Sequence, residues 1–154
     1  MEDIFDLAIK TLSLDLSSFS YWGLTTYQTL KVRGSINGRD VIILVDPRAE
    51  ANFLSSKLVF SLGLSLLQLP PFQVEVWNGA IEQGVGGCEN VVIQVQGITI
   101  CEIFFVMELG HSEVVFGVGW IVSLRKFEGD YKFLTLSWMH EGTKLMLRGD
   151  PSLC

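Results

Sequence analysis

The feature that most constrains this chain is the run Val41-Ile42-Ile43-Leu44-Val45 together with the residue that ends it, Asp46. A stretch of branched apolar residues with no polar face suits a strand covered on both sides, in the middle of a sheet. Just before it, Asn37-Gly38 separates the run from Leu30, Val32 and Ile36, and that dipeptide is a strong signal for a tight two-residue hairpin turn. Directly after it, Asp46 places a carboxylate at the end of a buried strand, followed by Pro47, Arg48, Ala49 and Glu50. Local sequence alone also allows Asp46 to be an exposed turn residue, because Asp-Pro is a common loop opener.

The rest of the chain alternates short apolar runs with turn signals. Residues 53–62 place Leu54, Leu58 and Leu62 at helical spacing with Gly63 as a stop, which predicts one short helix. After Pro70-Pro71, the alternation Phe72, Val74, Val76 leads into Asn78-Gly79 and predicts a second hairpin. Gly84, Gly86 and Gly87 on its return limb allow bends or bulges, as a mobile hairpin would need. Residues 90–96 and 98–107 read as strands turning at Gly97, and 114–116 as a short strand ending at Gly117. Val118, Ile121, Val122 and Leu124 suit a short helix. Residues 132–138 and 144–147 read as strands around a Glu141-Gly142 turn. Residues 1–28 lack steady periodicity and read as a linker or arm, with a short helix expected over 3–14. Residues 29–148 form the domain and 149–154 a tail. The class is all-β, a small closed, barrel-like sheet with one or two short helices.

Composition narrows the function classes. With 49% hydrophobic and 18% charged residues, the chain carries enough apolar material for a folded core. A formal net charge of -6 argues against a surface that neutralises phosphates, so nucleic acid is not an expected ligand. No apolar run is long enough to span a bilayer, and Glu2, Asp3 and Asp6 stand where a secretory signal would be positively charged. No membrane association and a cytoplasmic location are expected. Cys88, Cys101 and Cys154 are three and widely spaced, which fits free core thiols in a reducing compartment. His111 and His140 are far from each other and from any close Cys pair, so neither a metal nor another cofactor is expected. Gly84 to Gly87 lacks the Lys-Ser or Lys-Thr of a phosphate loop. No glycine-framed Ser or Cys-His arrangement is present.

The ordered series is an apolar strand ending in Asp, a short helix, a glycine-bearing hairpin, then apolar strands running into Gly and a second short helix. It resembles the retropepsins, the protease domains of retroviruses and LTR retrotransposons, and most of all those of plant gypsy-type elements. The stretches that carry the resemblance are Thr29-Leu30-Lys31-Val32-Arg33-Gly34, Val45-Asp46, Ala49 with Asn52-Phe53-Leu54, Leu62-Gly63-Leu64, Val114-Val115-Phe116-Gly117 with Trp120, and Leu147-Arg148-Gly149-Asp150-Pro151-Ser152-Leu153. The resemblance spans about residues 12 to 154.

It implies that each monomer supplies one catalytic acid, here Asp46, and that two monomers pair to make one site. The mechanism needs two carboxylates sharing a proton, one as general base and one as hydrogen-bond donor. A homodimer is therefore the expected partner arrangement, with an extended peptide or polyprotein as substrate. The second hairpin takes the place of the family's flap, with Val76, Trp77, Asn78 and Gly79 as expected peptide contacts. Where the family has Asp, Ser or Thr, then Gly, this chain has Asp46, Pro47 and Arg48, followed by Ala49. Pro47 offers neither a hydroxyl nor a backbone donor, and Arg48 brings a Cβ, a long side chain and a fixed positive charge. The expectation is a retropepsin-like domain of retrotransposon origin with impaired catalysis. The alternatives are an active homodimeric aspartic endopeptidase that processes a polyprotein, or a non-catalytic dimerisation or peptide-binding module.

Overall fold

The computed structural model describes residues 11–14, 30–76, 78–130 and 132–153, with the backbone alone for 11–14. Trp77, Cys154, most of the arm at 1–28 and the part of its expected helix before residue 11 lie outside the described residues.

The first hairpin forms where the turn chemistry requires it. Strand β2 (Leu30–Ile36) pairs antiparallel with β3 (Arg39–Val45), closing at Ile36 opposite Arg39. Asn37 and Gly38 take φ of 51° and 81°, the left-handed pair that matches the twist of the flanking strands. Six strands then close into a barrel in the order β2-β3-β9-β4-β8-β7. Here β4 is Phe53–Ser55, β7 Gly86–Val95, β8 Ile98–Met107 and β9 Val114–Phe116. The barrel closes where β2 meets β7 at Ser35 opposite Gln94. A Cβ on Gly34 would stand 2.7 Å from the Gln94 carbonyl oxygen, so only glycine lets the two backbones approach there.

Period-two alternation explains why the central strands carry no polar face. Val32, Ile43, Val45, Leu54, Ile93, Phe104, Val106, Val114 and Phe116 fill the barrel interior. Their neighbours Leu44, Phe53, Phe105, Met107 and Val115 point the other way, into a second core that also contains Ala49, Ala51, Phe72, Val74 and Val76. Both faces of β9, of β3 over residues 43–45 and of β8 over residues 104–107 are thus out of water. Each large side chain so buried contributes about 1.5–3 kcal/mol relative to exposure.

The second core is roofed by the second hairpin, β5 (Gln73–Val76) and β6 (Ile81–Gln83), with its turn at Gly79 (φ 81°). A further strand, β1 (Thr11–Leu14), pairs parallel with β5. This corrects the helix expected over 3–14: residues 11–14 gain their hydrogen-bonding partners from a sheet edge that local periodicity does not reveal. The expected helix over 53–62 is also shortened. Its first three residues become β4, held between β8 and β9, and the helix α1 covers Ser56–Leu62. Leu54 belongs to the barrel, whereas Leu58 and Leu62 keep the helical spacing. Gly63 ends α1 in the left-handed conformation (φ 64°), as its position indicates.

The glycines of the return limb serve close packing. A Cβ on Gly84 would fall 1.9 Å from the Phe72 ring, and one on Gly86 2.4 Å from the Leu67 carbonyl oxygen. The bulge in β7 lies further on, between Cys88 and Val91, where Asn90 has φ of 54°. After β9 comes the short helix α2 (Val118–Ile121), continued by a 3-10 turn over Val122–Leu124. A three-stranded sheet follows, with β10 (Phe127–Asp130), β11 (Thr135–His140) and β12 (Thr143–Arg148) in that order. The strand expected at 132–138 begins only at Thr135, because Asp130 Oδ1 accepts the Lys132 and Phe133 amides at 3.0 and 3.2 Å and turns the chain. β10 has no apolar alternation and was not anticipated. Trp120 and Trp138 meet edge to face at 5.5 Å, both buried, joining this sheet to the barrel. The segment after β12 returns to β2, where the Asp150 amide donates to the Lys31 carbonyl at 2.8 Å and Arg33 pairs with Asp150 at 2.9 Å.

Candidate functional site

Asp46 ends β3 and is fully buried within this chain, at 0% exposure. Its amide donates to the Phe116 carbonyl at 3.0 Å, which continues the parallel pairing of β3 with β9. The four residues Asp46-Pro47-Arg48-Ala49 then form a β-turn closed by the Ala49 amide on the Asp46 carbonyl at 3.1 Å. Asp at the first position and Pro at the second are favoured there, because Pro presets the backbone and the Asp side chain accepts an amide two residues on. That second bond is present, from the Arg48 amide to Asp46 Oδ1 at 2.9 Å. Arg48 is not in the left-handed region, so this turn does not require glycine at that position.

The Arg48 guanidinium folds back over the same carboxylate. Nε reaches Oδ1 and Nη2 reaches Oδ2, both at 3.3 Å. The side chain is 30% exposed while that of Asp46 is not exposed at all, so the arginine lies between the acid and solvent. Oδ1 accepts from two donors of a single residue and Oδ2 from the other arm of the fork, which supplies the counter-charge a buried carboxylate requires. Pro47 and Glu50 are exposed, and Ala49 is buried in the second core.

Beneath this turn lies a polar brace. Asn52 is buried, its Oδ1 accepts the amides of Gly117 and Trp120 at 3.0 and 3.1 Å, and its Nδ2 donates to the Ile103 carbonyl at 3.2 Å. The Val118 amide donates to the Ala49 carbonyl at 2.9 Å, so α2 is tied to the Asp46 turn directly as well. A Cβ on Gly117 would stand 2.1 Å from the Ala51 carbonyl oxygen, a contact no side chain tolerates. Asn52 and Gly117 were not among the expected site residues. The available signal was a lone amide between Ala51 and Phe53, where the flanking residues are apolar.

Of the expected peptide contacts, Val76 is buried in the second core, to which Ala49 and Ala51 of the Asp46 turn region also belong. Asn78 and Gly79 are exposed at the hairpin tip, where Asn78 Oδ1 accepts the Ala80 amide at 3.0 Å. Trp77 is outside the described residues. His111 and His140 are exposed, and among the described residues no three His, Cys, Asp or Glu side chains gather as metal ligands. Cys88 is a buried free thiol, its pKa pushed up by burial, but Cys101 is exposed on β8, which corrects its expected place in the core. No helix among the described residues is long and apolar enough to cross a membrane.

One carboxylate with a guanidinium on it cannot divide base and acid roles; that needs a second acid close enough to share a proton. Neither a protein-family model nor a curated protein matches the chain. Among solved structures, the chain is similar to the crystal structure of the retroviral protease-like domain of Ddi1 from Leishmania major. The TM-score is 0.59 at 16% identity, covering 80% of this chain and 96% of that one. Together with the closed barrel, the hairpin above it and the two short helices, that likeness gives this chain the retropepsin-like all-β fold.

Proposed function

We propose that this chain is a retropepsin-like domain of retrotransposon origin, of the plant gypsy type, whose catalytic centre is disabled and which persists as a dimerising or peptide-holding module. The observation that carries the reading is the Arg48 fork on Asp46. Catalysis by a carboxylate pair requires each acid to face its mate and a water. Asp46 instead meets a cation from its own turn and has no exposure within its chain. In a symmetric dimer, two such turns would bring two guanidinium groups toward the axis, where like charges oppose close approach of the acids.

Asp46, Pro47, Arg48 and Ala49 are the remnant of the catalytic loop in this reading, and Val76, Trp77, Asn78 and Gly79 the covering hairpin. The partner is a second copy of the chain and an extended peptide. The net charge of -6 supports the absence of nucleic acid, and a cytoplasmic location goes with the free thiols.

The test replaces Pro47 and Arg48 together by Ser and Gly. A mixed peptide library is then incubated with this variant, the unmodified chain and Asp46→Asn, between about pH 4 and 6 where paired acids of this type work. Cleavage by P47S/R48G alone is the expected result. Cleavage by the unmodified chain that Asp46→Asn abolishes would make it a working endopeptidase. Sedimentation reads the dimer independently, and a strictly monomeric chain at high concentration would remove dimerisation.

A further inference from the structure

We infer that Thr11–Leu14 is an internal strap: it fills the edge of the β5–β6 hairpin to which an extended peptide would add, so a peptide binds there only when the strap is released. The inference rests on the peptide-holding part of the proposed function and adds how that site is controlled.

The hydrogen-bond parity of the hairpin defines the edge. Gly84 donates to the Phe72 carbonyl at 3.0 Å, and Val76 to the Ala80 carbonyl at 2.9 Å. In an antiparallel pair the bonded positions alternate, so Phe72, Val74 and Val76 turn their backbone groups toward β6. Gln73 and Glu75 therefore turn theirs toward the opposite edge. β1 lies on that edge, in parallel register from Thr11 opposite Gln73 to Leu14 opposite Val76. β5 is thereby the middle strand of its sheet, with both edges taken.

The edge is also well placed. Val74 and Val76 belong to the same buried core as Ala49 and Ala51, so β5 and the Asp46 turn share one core. An unpaired edge is a template for main-chain addition of an extended peptide, and such addition needs little from the peptide's side chains. A four-residue strand is short enough to open reversibly, in keeping with the low local stability of binding elements. Because the strap belongs to the same chain, its pairing is intramolecular, with an effective concentration on the order of millimolar. A free peptide must compete with that.

Amide hydrogen exchange on the full chain tests the strap. In the unmodified protein the Gln73 and Glu75 amides should be protected, and exchange there as fast as at an open strand edge would overturn the inference. In L12P/S13P, whichever of these two adjacent positions donates to β5 has lost its N–H. Protection at Gln73 and Glu75 should then fall, while Val74 and Val76 keep theirs and the barrel amides of β8 report an intact fold. Unchanged protection at Gln73 and Glu75 would sink the strap.

The second reading uses a fluorescein-labelled peptide carrying residues 9–16 of this chain, followed by anisotropy. L12P/S13P should bind it at least about fivefold more tightly than the unmodified chain, the gain expected if the strap is closed four-fifths of the time. Equal binding by both proteins would overturn the strap's control of the edge. Binding by neither, with the exchange result intact, would leave β1 as a structural strand, remove the peptide-holding reading and overturn the inference with it.

Discussion

Removing the Arg48 side chain would leave the Asp46 carboxylate buried with its guanidinium partner gone. Breaking a buried ion pair on one side costs about 3–5 kcal/mol. Arg48 is 30% exposed, so its own desolvation was partial and the lower end applies, about 3 kcal/mol. The Arg48 amide bond to Oδ1 survives in Arg48→Ala and keeps the loss from growing further. For a domain of this size the loss corresponds to a fall of about 6–12 °C in Tm. The decisive comparison is with Asp46→Asn made in the Arg48→Ala background. If the penalty comes from an uncompensated charge, neutralising that charge must recover stability, by at least about 1 kcal/mol. Urea unfolding followed by circular dichroism measures all four corners of the cycle, with equal m-values as the check that the unfolded states are comparable. The reasoning fails if Arg48→Ala lies within about 0.5 kcal/mol of the unmodified chain, the range of an ordinary surface change. It also fails if Asp46→Asn brings no recovery in the Arg48→Ala background.

Asn52→Ala should cost about 1–3 kcal/mol in the same urea assay, since it strands the buried Gly117 amide, whereas the Trp120 amide keeps its 3.1 Å bond to the Gly117 carbonyl. Gly117→Ala should yield little folded protein on size-exclusion chromatography, because its methyl would have to displace the carbonyls of both Ala49 and Ala51. Burial holds the Glu102 carboxyl above the ordinary range, against a smaller opposing effect of the Ile103 amide bond, so the folded chain binds that proton more readily than the unfolded one. Its contribution to stability is therefore present in acid and lost as pH rises through the folded value. Glu102→Gln should be modestly more stable than the unmodified chain at neutral pH, and urea midpoints should converge below the carboxylate range. With iodoacetamide and peptide mapping, Cys101 should label in the folded protein and Cys88 only after unfolding, because Cys88 is buried and its thiol pKa is raised.

Local rules account for those parts of the fold that depend on a few neighbouring residues. Asn37-Gly38, Gly97 and Glu141-Gly142 form turns because their left-handed backbone needs just those residue types, and the structure has φ of 79° at both Gly97 and Gly142. The apolar runs at the end of β3 and in β9 announce burial on both faces. Gly63 ends its helix for the same reason that glycines end others. The all-β class, the two hairpins and the position of Asp46 at a buried strand end were legible in this way. Asp46-Pro47-Arg48 could be recognised as a departure from the resembling pattern before any coordinate was known.

What the residues could not disclose depends on partners distant along the chain. Residues 11–14 and 53–55 become strands because β5, β8 and β9 offer them unpaired backbone groups, and hydrogen bonds across a sheet leave no periodicity in the strand that receives them. The brace at Asn52 exists only because β9 and α2 pass over it, some 65 residues later in the chain. The direction of Arg48 is of the same kind: the sequence allowed it to point inward to the acid or outward to water. Its inward fold follows from the turn at Pro47, which carries the guanidinium back over a carboxylate that the barrel has already removed from solvent.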